Sequence, residues 1–281
     1  MKIGIGLPNT VPGIPGTTLV EWARRSEDRG FAGLATIDRI AYPNHDSLTA
    51  LAAAGAVTSR IGLFTNILLG PLYPAALLAK TAATVDQISG GRLTLGLAPG
   101  SRKDDFEAMG RDFSRRGREF DKTLDEIHRI WSGDPRHSPA PVNSHAVPIM
   151  IGGTSEATIR RLVSWGAGWA MGGGSPDQAA GFVGRVREAW QEAGREGEPR
   201  ISVLAYYSLG ADAEEQSLAY LRHYYAFLGE YADMIATNAL RTPEAVSDAA
   251  KAFEAVGVTE LYFDATTPSL DQIDRLAEVV N

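Results

Sequence analysis

Short apolar runs alternate along the chain with longer segments in which apolar residues recur every three or four positions. The short runs are typical of buried strands, and the longer periodicity is typical of amphipathic helices. Phe120, Leu124, Ile127 and Trp131, for example, follow one another at spacings of 4, 3 and 4 and predict a long helix. The predicted strands are Ile3–Leu7, Leu34–Ile37, Ile61–Asn66, Arg92–Leu97, Val147–Ile151, Gly168–Met171, Ile201–Tyr207 and Glu260–Asp264.

Helices are predicted between these strands, and turn residues mark several of their ends. Thr18 and Glu21 have the spacing of a capping box at the start of the first helix, and Gly30 follows its end. Pro74 suits a helix start, and Gly90-Gly91 suits the end of the same helix. Further helices are predicted over 47–58, 155–165, 176–194, 212–240 with an interruption near Gly229, 243–256 and 269–280.

Eight strands that are each followed by a helix, with no break in composition, predict a closed parallel barrel. A doubly wound sheet is the alternative, but it rarely contains eight uninterrupted units. We therefore expect one (β/α)8 TIM-barrel domain over residues 1–281, with a short excursion at 132–147 before the fifth strand and a helical extension after the seventh.

Composition and charge exclude several classes of protein. The net charge of -7 argues against nucleic-acid binding, because there is no Lys/Arg stripe to neutralise phosphates. The chain has no cysteine, which excludes disulfides, thiolate-bound metals and a thiol nucleophile. The start is too short and too rich in glycine for a signal peptide, and no apolar run approaches the ~20 residues that span a bilayer. We expect a cytoplasmic protein that does not interact with membranes.

Histidine spacing gives no support for a metal site. No pair of histidines is spaced i,i+4 as on a metal-binding helix, and no G-x-S-x-G motif indicates a hydrolase. We expect three of the five histidines to lie on the surface, one on the exposed side of a helix and two in the excursion: His128, His137 and His145.

The loops that follow the strands contain the candidate chemistry, since TIM-barrel sites lie at the carboxyl ends of the strands. Residues 96–101, in the stretch "GGRLTLGLAPGSRKDDFEAMG", form a thin loop, and Asp104-Asp105 then suit the start of a helix. Two glycine clusters, 152–154 and 172–174, precede helices, where free N–H groups can bind an anion. Simple turn geometry is the alternative for either cluster. The aromatic segment 223–231 suits either the core or the roof of a substrate pocket.

Several segments together resemble the luciferase-like oxidoreductases, which are TIM barrels that use a flavin or the deazaflavin F420. The resemblance covers nearly the whole chain, in the expected order. It rests on "GFAGLATIDRI", "TSRIGLFTNILLGPLYPAALLAKTAATVDQISGGRLTLGLAPGSRKDDFEAMG", "RRGREFDKTLDEIHRIW", "PIMIGGTSEATIRRLVSWGAGW" and "AVGVTELYFD".

The resemblance implies where a cofactor binds. The tricyclic ring would lie against Asp38, against the loop containing Gly100 and Ser101, and against a non-prolyl cis peptide between Asn66 and Ile67. An ordinary trans strand end is the alternative at that bond. The phosphate would rest on the glycine clusters after the fifth and sixth strands, which are Gly152, Gly153, Thr154, Gly172, Gly173 and Gly174.

The chain departs from the family pattern at Arg39, where many members have a histidine that can move protons. Arginine stays protonated, so we predict that Arg39 stabilises an anionic reduced cofactor, a peroxide or a substrate oxyanion. A salt bridge to Asp38 or another carboxylate is the alternative. His45 in the same loop is the nearest candidate for proton transfer.

The predicted activity is oxygenation of a small organic substrate with reduced FMN. F420-dependent hydride transfer is the alternative, and a non-catalytic flavin-binding protein is the second alternative. Two partners are consistent with this activity. One is a separate flavin or F420 reductase, and the other is a second copy of the chain in a homodimer.

Overall fold

The eight strands close into one parallel barrel in sequence order, each hydrogen-bonded to its neighbours along the chain and the last to the first. A computed structural model describes residues 1–133, 139–143 and 146–280. The strands are β1 (Lys2–Gly6), β2 (Gly33–Thr36), β3 (Gly62–Leu69), β4 (Leu93–Ala98), β5 (Ile149–Gly152), β6 (Gly168–Met171), β7 (Arg200–Tyr207) and β8 (Glu260–Ala265). This is the predicted (β/α)8 TIM-barrel fold.

Helices cover the outside of the barrel and connect its strands. They are α1 (Gly16–Asp28), α2 (Ser47–Val57), α3 (Ala75–Ser89), α4 (Lys103–Ala108), α5 (Arg116–Trp131), α6 (Glu156–Trp165), α7 (Pro176–Glu192), α8 (Ala213–Tyr224), α9 (Tyr231–Thr237), α10 (Pro243–Ala255) and α11 (Asp271–Val280). Short 3-10 turns lie at Gly70–Leu72, Phe113–Arg115 and Ala226–Leu228. The predicted excursion at 132–147 lies partly outside the described residues, as do His137 and His145.

The core has two layers, which explains why the strands are apolar on both faces. The outer layer packs strand residues against the helices, as at Trp22, Leu124 and Phe263. A smaller cluster packs separately and contains Phe64 and Tyr262, whose rings lie 5.2 Å apart.

Helix ends follow the sequence signals at some positions and depart from them at others. Gly90 ends α3 in the left-handed conformation, with φ of 68°, as predicted. The capping box predicted for Thr18 and Glu21 is wrong. α1 begins two residues earlier, at Gly16 after Pro15, and no side chain caps it. Pro15 is extended and occupies the N-cap position, so the helix begins at Gly16 and Thr18 already lies within its first turn.

The extension after β7 contains α8, a 3-10 turn and α9, with the break at Gly229 (φ 58°) where the sequence predicts it. Its two ends lie side by side. The amide of Ser208 donates to the carbonyl of Leu240 at 2.9 Å, and the amide of Leu240 donates to the carbonyl of Tyr206 at 2.9 Å. The chain therefore leaves the barrel and returns to it at one point.

Candidate cofactor and substrate site at the barrel mouth

Two adjoining cavities open at the carboxyl ends of the strands. The small cavity, of about 190 Å³, is lined by charged residues and aromatic rings, among them Asp38, Arg39, Arg102 and Phe227. The large cavity, of about 590 Å³, lies between the loop after β6 and the helices of the extension. They share the lining residues Gly172, Leu204, Tyr206 and Tyr225.

Asp38 lies directly after β2 and is buried in the wall of the small cavity. Its carboxylate accepts hydrogen bonds from the amide of Leu69 at 2.9 Å and from the hydroxyl of Tyr73 at 3.0 Å. Burial raises the pKa of Asp38 to about 7, although these two hydrogen bonds act in the opposite direction. A carboxyl group in this position can hold or release a proton near neutral pH.

Asn66 lies at a break in β3, where the pairing with β4 shifts register between Thr65 and Leu68. The peptide bond between Asn66 and Ile67 is cis, as predicted. The side chain of Asn66 is buried, lines the small cavity, and finds no partner for its Oδ1 or Nδ2 among the described residues. Buried amides are nearly always hydrogen-bonded, so this side chain is a candidate for pairing with a bound molecule.

Arg39 lies in the small cavity with its charge already paired. Its Nε donates to Asp105 at 2.9 Å and its Nη2 donates to Asp104 at 2.8 Å. The other oxygen of Asp105 accepts from the amides of Ile40 and Ala41. Arg39 therefore pairs with two carboxylates of α4, and within the described chain it forms no ion pair with Asp38.

Asp104 and Asp105 lie in the first turn of α4, as the sequence predicts for helix-start carboxylates. The sequence does not predict that Asp105 is fully buried and paired with Arg39. Nor does it predict that Arg102, which precedes α4 and lines the small cavity, is in the site. A charged residue immediately after the thin loop at a strand end was the available signal.

His45 is not brought into either cavity. One ring nitrogen, Nε2, lies 2.8 Å from the carbonyl oxygen of Ile14, and the His45 amide donates to the carbonyl of Asn9. His128, expected on the exposed side of its helix, is half-buried, with Nδ1 2.9 Å from the carbonyl oxygen of Leu124. Within the described residues, no cluster of His, Asp and Glu could hold a metal ion.

The glycine clusters follow the adjacent strands β5 and β6. Within the described chain, the amides of Gly153, Thr154, Gly173 and Gly174 donate to no acceptor, and all four lie just before helices. The cluster Gly172, Gly173 and Gly174 lines the large cavity, whereas Gly152, Gly153 and Thr154 line neither cavity.

The two residues predicted in the loop after β4 differ in position. Ser101 lines the small cavity, whereas Gly100, with φ of 82°, does not. A Cβ at Gly100 would lie 3.1 Å from the ring of Phe106. The thin loop at this strand end is therefore set partly by packing beneath it.

The aromatic segment 223–231 lies over both cavities. Tyr225 lines both of them, Tyr224 and Phe227 line the small cavity, and Tyr231 lines the large one. The alternative of a pocket roof is therefore the one that the structure adopts, although Tyr224 is also buried in a core cluster.

No helix in the described ranges has the length and apolarity that a bilayer crossing requires.

Known proteins are similar to this chain, some in sequence and others in fold. Pyrimidine monooxygenase RutA of Escherichia coli is 28% identical over 210 residues, which cover 67% of this chain and 56% of RutA. An F420-dependent secondary alcohol dehydrogenase, solved with an F420-acetone adduct, is similar in fold with a TM-score of 0.81, 18% identity and coverage of 100% of this chain and 98% of that one.

A third protein, the oxygenating constituent of 3,6-diketocamphane monooxygenase of Pseudomonas putida, was solved in complex with FMN. Its TM-score is 0.74 at 17% identity, with coverage of 99% of this chain and 97% of that one. The family model for luciferase-like monooxygenases matches residues 1–268, which is nearly the whole barrel. The chain belongs to the luciferase-like monooxygenase family.

Proposed function

We propose that this protein binds reduced FMN across the barrel mouth and oxygenates a small organic substrate. The observation that carries the proposal is the side chain of Asn66, whose two polar atoms are buried beside the small cavity without a partner among the described residues. A flavin ring presents a row of hydrogen-bond donors and acceptors along its edge, which is what an unpaired carboxamide needs.

The phosphate of FMN would rest on the glycine clusters. The free amides of Gly153 and Thr154, together with those of Gly173 and Gly174, occupy two helix starts on neighbouring strands. Amides at such positions bind anions through their N–H groups and the positive end of the helix dipole. RutA and the diketocamphane enzyme, which are monooxygenases by name, support oxygenation for this chain.

The lining of the large cavity favours FMN over F420. F420 carries a long anionic tail, and we expect Lys or Arg side chains beside it. The large cavity is lined by glycines, aromatic rings and apolar side chains, and no described Lys or Arg is among them. A single phosphate held by backbone amides fits this lining better than a polyanion does.

The side chains of this protein would orient the reactants, exclude water and hold a proton. When bound, reduced FMN would supply the electrons that activate oxygen. Asp38, with a pKa of about 7, can give or take one proton at neutral pH, and the hydroxyl of Tyr73 fixes its orientation. Tyr225 and Phe227 line the small cavity and would shield the reacting atoms from water when reactants are bound.

Titration of the protein with reduced FMN under anaerobic conditions, and separately with F420, tests the proposal. We expect FMN to bind, F420 to bind more weakly, and oxygen uptake to depend on reduced FMN. Tighter binding of F420 would replace oxygenation by hydride transfer, and binding of neither cofactor would refute the assignment.

Gly172→Val locates the binding site within the same assay. Gly172 lines both cavities, and a Cβ there meets no atom within 4 Å, so the variant should fold and yet fill the ligand space. We expect its FMN affinity to fall about tenfold, which corresponds to ~1.4 kcal/mol. Gly181→Val is the matched control, because Gly181 is exposed on α7 and equally open around its Cβ. Unchanged FMN affinity of Gly172→Val would place the cofactor elsewhere.

A further inference from the structure

We propose that Arg102 binds an anionic oxygen group of the substrate, and that the substrate is a small planar anion. This inference rests on the proposed function, because it names the substrate class of the same cavity. Arg102 lies at the start of α4 and lines the small cavity, while only 7% of its surface is exposed.

Arg102 is a buried cation whose charge no carboxylate balances among the described residues. Its one hydrogen bond there runs from Nη1 to the carbonyl of Tyr224, at 2.7 Å. Buried charges are normally paired, since the loss of hydration is costly. Neighbouring Arg39, by contrast, is neutralised by Asp104 and Asp105. The positive charge left uncompensated in the small cavity is therefore that of Arg102.

Aromatic rings flank the guanidinium, and part of it has no hydrogen-bond partner in the described chain. Its Cζ lies 4.3 Å from the ring centre of Tyr224 and 4.0 Å from that of Phe227. A guanidinium has five N–H donors in one plane, and in the described chain Nε and Nη2 have no acceptor. Planar donors of this kind match the two oxygens of a carboxylate or a similar delocalised anion.

The lining of the small cavity favours a planar anion. The rings of Tyr206, Tyr225 and Phe227 border this cavity. The hydroxyls of Tyr206 and Tyr225 lie 2.8 Å apart and bond to each other. These rings offer flat surfaces to an unsaturated or aromatic ring, and Arg102 lies at the charged end.

Benzoate and benzamide test the assignment, because they share a ring and differ in charge. We expect wild-type protein to bind benzoate about tenfold more tightly than benzamide by titration calorimetry. Arg102→Gln should lower benzoate affinity to that of benzamide and leave benzamide binding unchanged within about twofold.

Arg116→Gln is the matched control. Arg116 also stacks on a ring, with its Cζ 4.0 Å from the centre of Phe113, and it donates to the carbonyl of Phe113 at 3.0 Å, but it lines neither cavity. We expect its preference for benzoate to equal that of the wild type. Loss of the preference in Arg116→Gln would overturn the proposal.

Three results would each overturn the assignment of Arg102. Wild-type protein could bind the two probes equally. Arg102→Gln could lose both equally, which would make Arg102 an anchor for the aromatic roof alone. It could also lose affinity for FMN but not for riboflavin, which would assign Arg102 to the cofactor phosphate.

Arg102→Lys covers the case in which Arg102→Gln does not fold. The lysine variant keeps the charge and should still prefer benzoate, whereas equal affinity for both probes would overturn the proposal. Titration of wild-type protein with FMN tests the proposed function independently, so failure of the substrate class and failure of the cofactor can be told apart.

Discussion

Replacing Asp105 by asparagine should destabilise the protein far more than the same change at Asp104, although both carboxylates bind Arg39. Asp105 is fully buried, whereas the side chain of Asp104 is 49% exposed. Asparagine keeps the shape of the side chain in both variants. The comparison therefore sets a buried carboxylate partner of Arg39 against a half-exposed one.

The contacts of Asp105 set the magnitude. One oxygen accepts from Arg39 Nε at 2.9 Å, and the other accepts from the amides of Ile40 and Ala41 at 2.9 and 2.7 Å. In Asp105→Asn the amide oxygen can keep the two backbone bonds, but the amide nitrogen then faces Arg39 donor to donor. Removing one partner of a buried pair costs about 3–5 kcal/mol, whereas an exposed pair contributes at most about 1 kcal/mol.

Urea unfolding followed by circular dichroism measures both variants. We expect the free energy of unfolding to fall by about 3–5 kcal/mol in Asp105→Asn and by less than about 1 kcal/mol in Asp104→Asn, with equal urea dependence. Equal losses in the two variants, or a loss below about 1 kcal/mol at Asp105, would show that the buried pair does not hold this loop.

Three further predictions concern charge and pH. The pKa of Asp38 is raised from 3.8 to about 7 in the folded state. Its protonation therefore stabilises the folded state at low pH, and this contribution is lost as pH rises from about 4 to 7. In Asp38→Asn the free energy of unfolding should vary less with pH over that range. The pKa of Glu27 is lowered from 4.5 to about 2, and its carboxylate accepts from the amides at 59–61. Glu27→Gln should therefore lower the free energy of unfolding by about 1–2 kcal/mol at pH 7. The difference from wild type should vanish as pH falls to about 2 in the same denaturation assay. Arg39→Lys should lower turnover moderately and Arg39→Ala far more, measured as oxygen uptake at a temperature where both are folded; normal turnover of the alanine variant would leave Arg39 a purely structural residue.

The barrel could be predicted from the sequence because apolar residues form short runs in the strands and recur every three or four positions in the helices. Gly90 ends α3 since glycine adopts a positive φ without strain, and no other part of the chain is needed to know this. The cis bond at Asn66 was predicted from family resemblance rather than from the residues themselves.

The pairing of the charged residues in the site could not be predicted, because it depends on residues that are distant in sequence. Asp105 lies 66 positions from Arg39, and a pair of aspartates at a helix start has an ordinary explanation in the helix dipole. Arg102 meets Tyr224 across 122 positions, a contact that exists only once the extension folds over the mouth. Thr18 shows the opposite error, since a local motif was present and Pro15 overrode it.

The two ends of the extension after β7 are joined to each other, so the length of the extension can change with little effect on the stability of the barrel. Because Ser208 and Leu240 are joined by a backbone hydrogen bond, everything between them is a loop whose ends are already fixed together. Lengthening such a loop costs little conformational entropy, and the ladder between β7 and β8 runs past it from Ser202 to Tyr207 without interruption. The roof of the two cavities can therefore be exchanged or resized while the strands that precede Asp38 and contain Asn66 stay as they are.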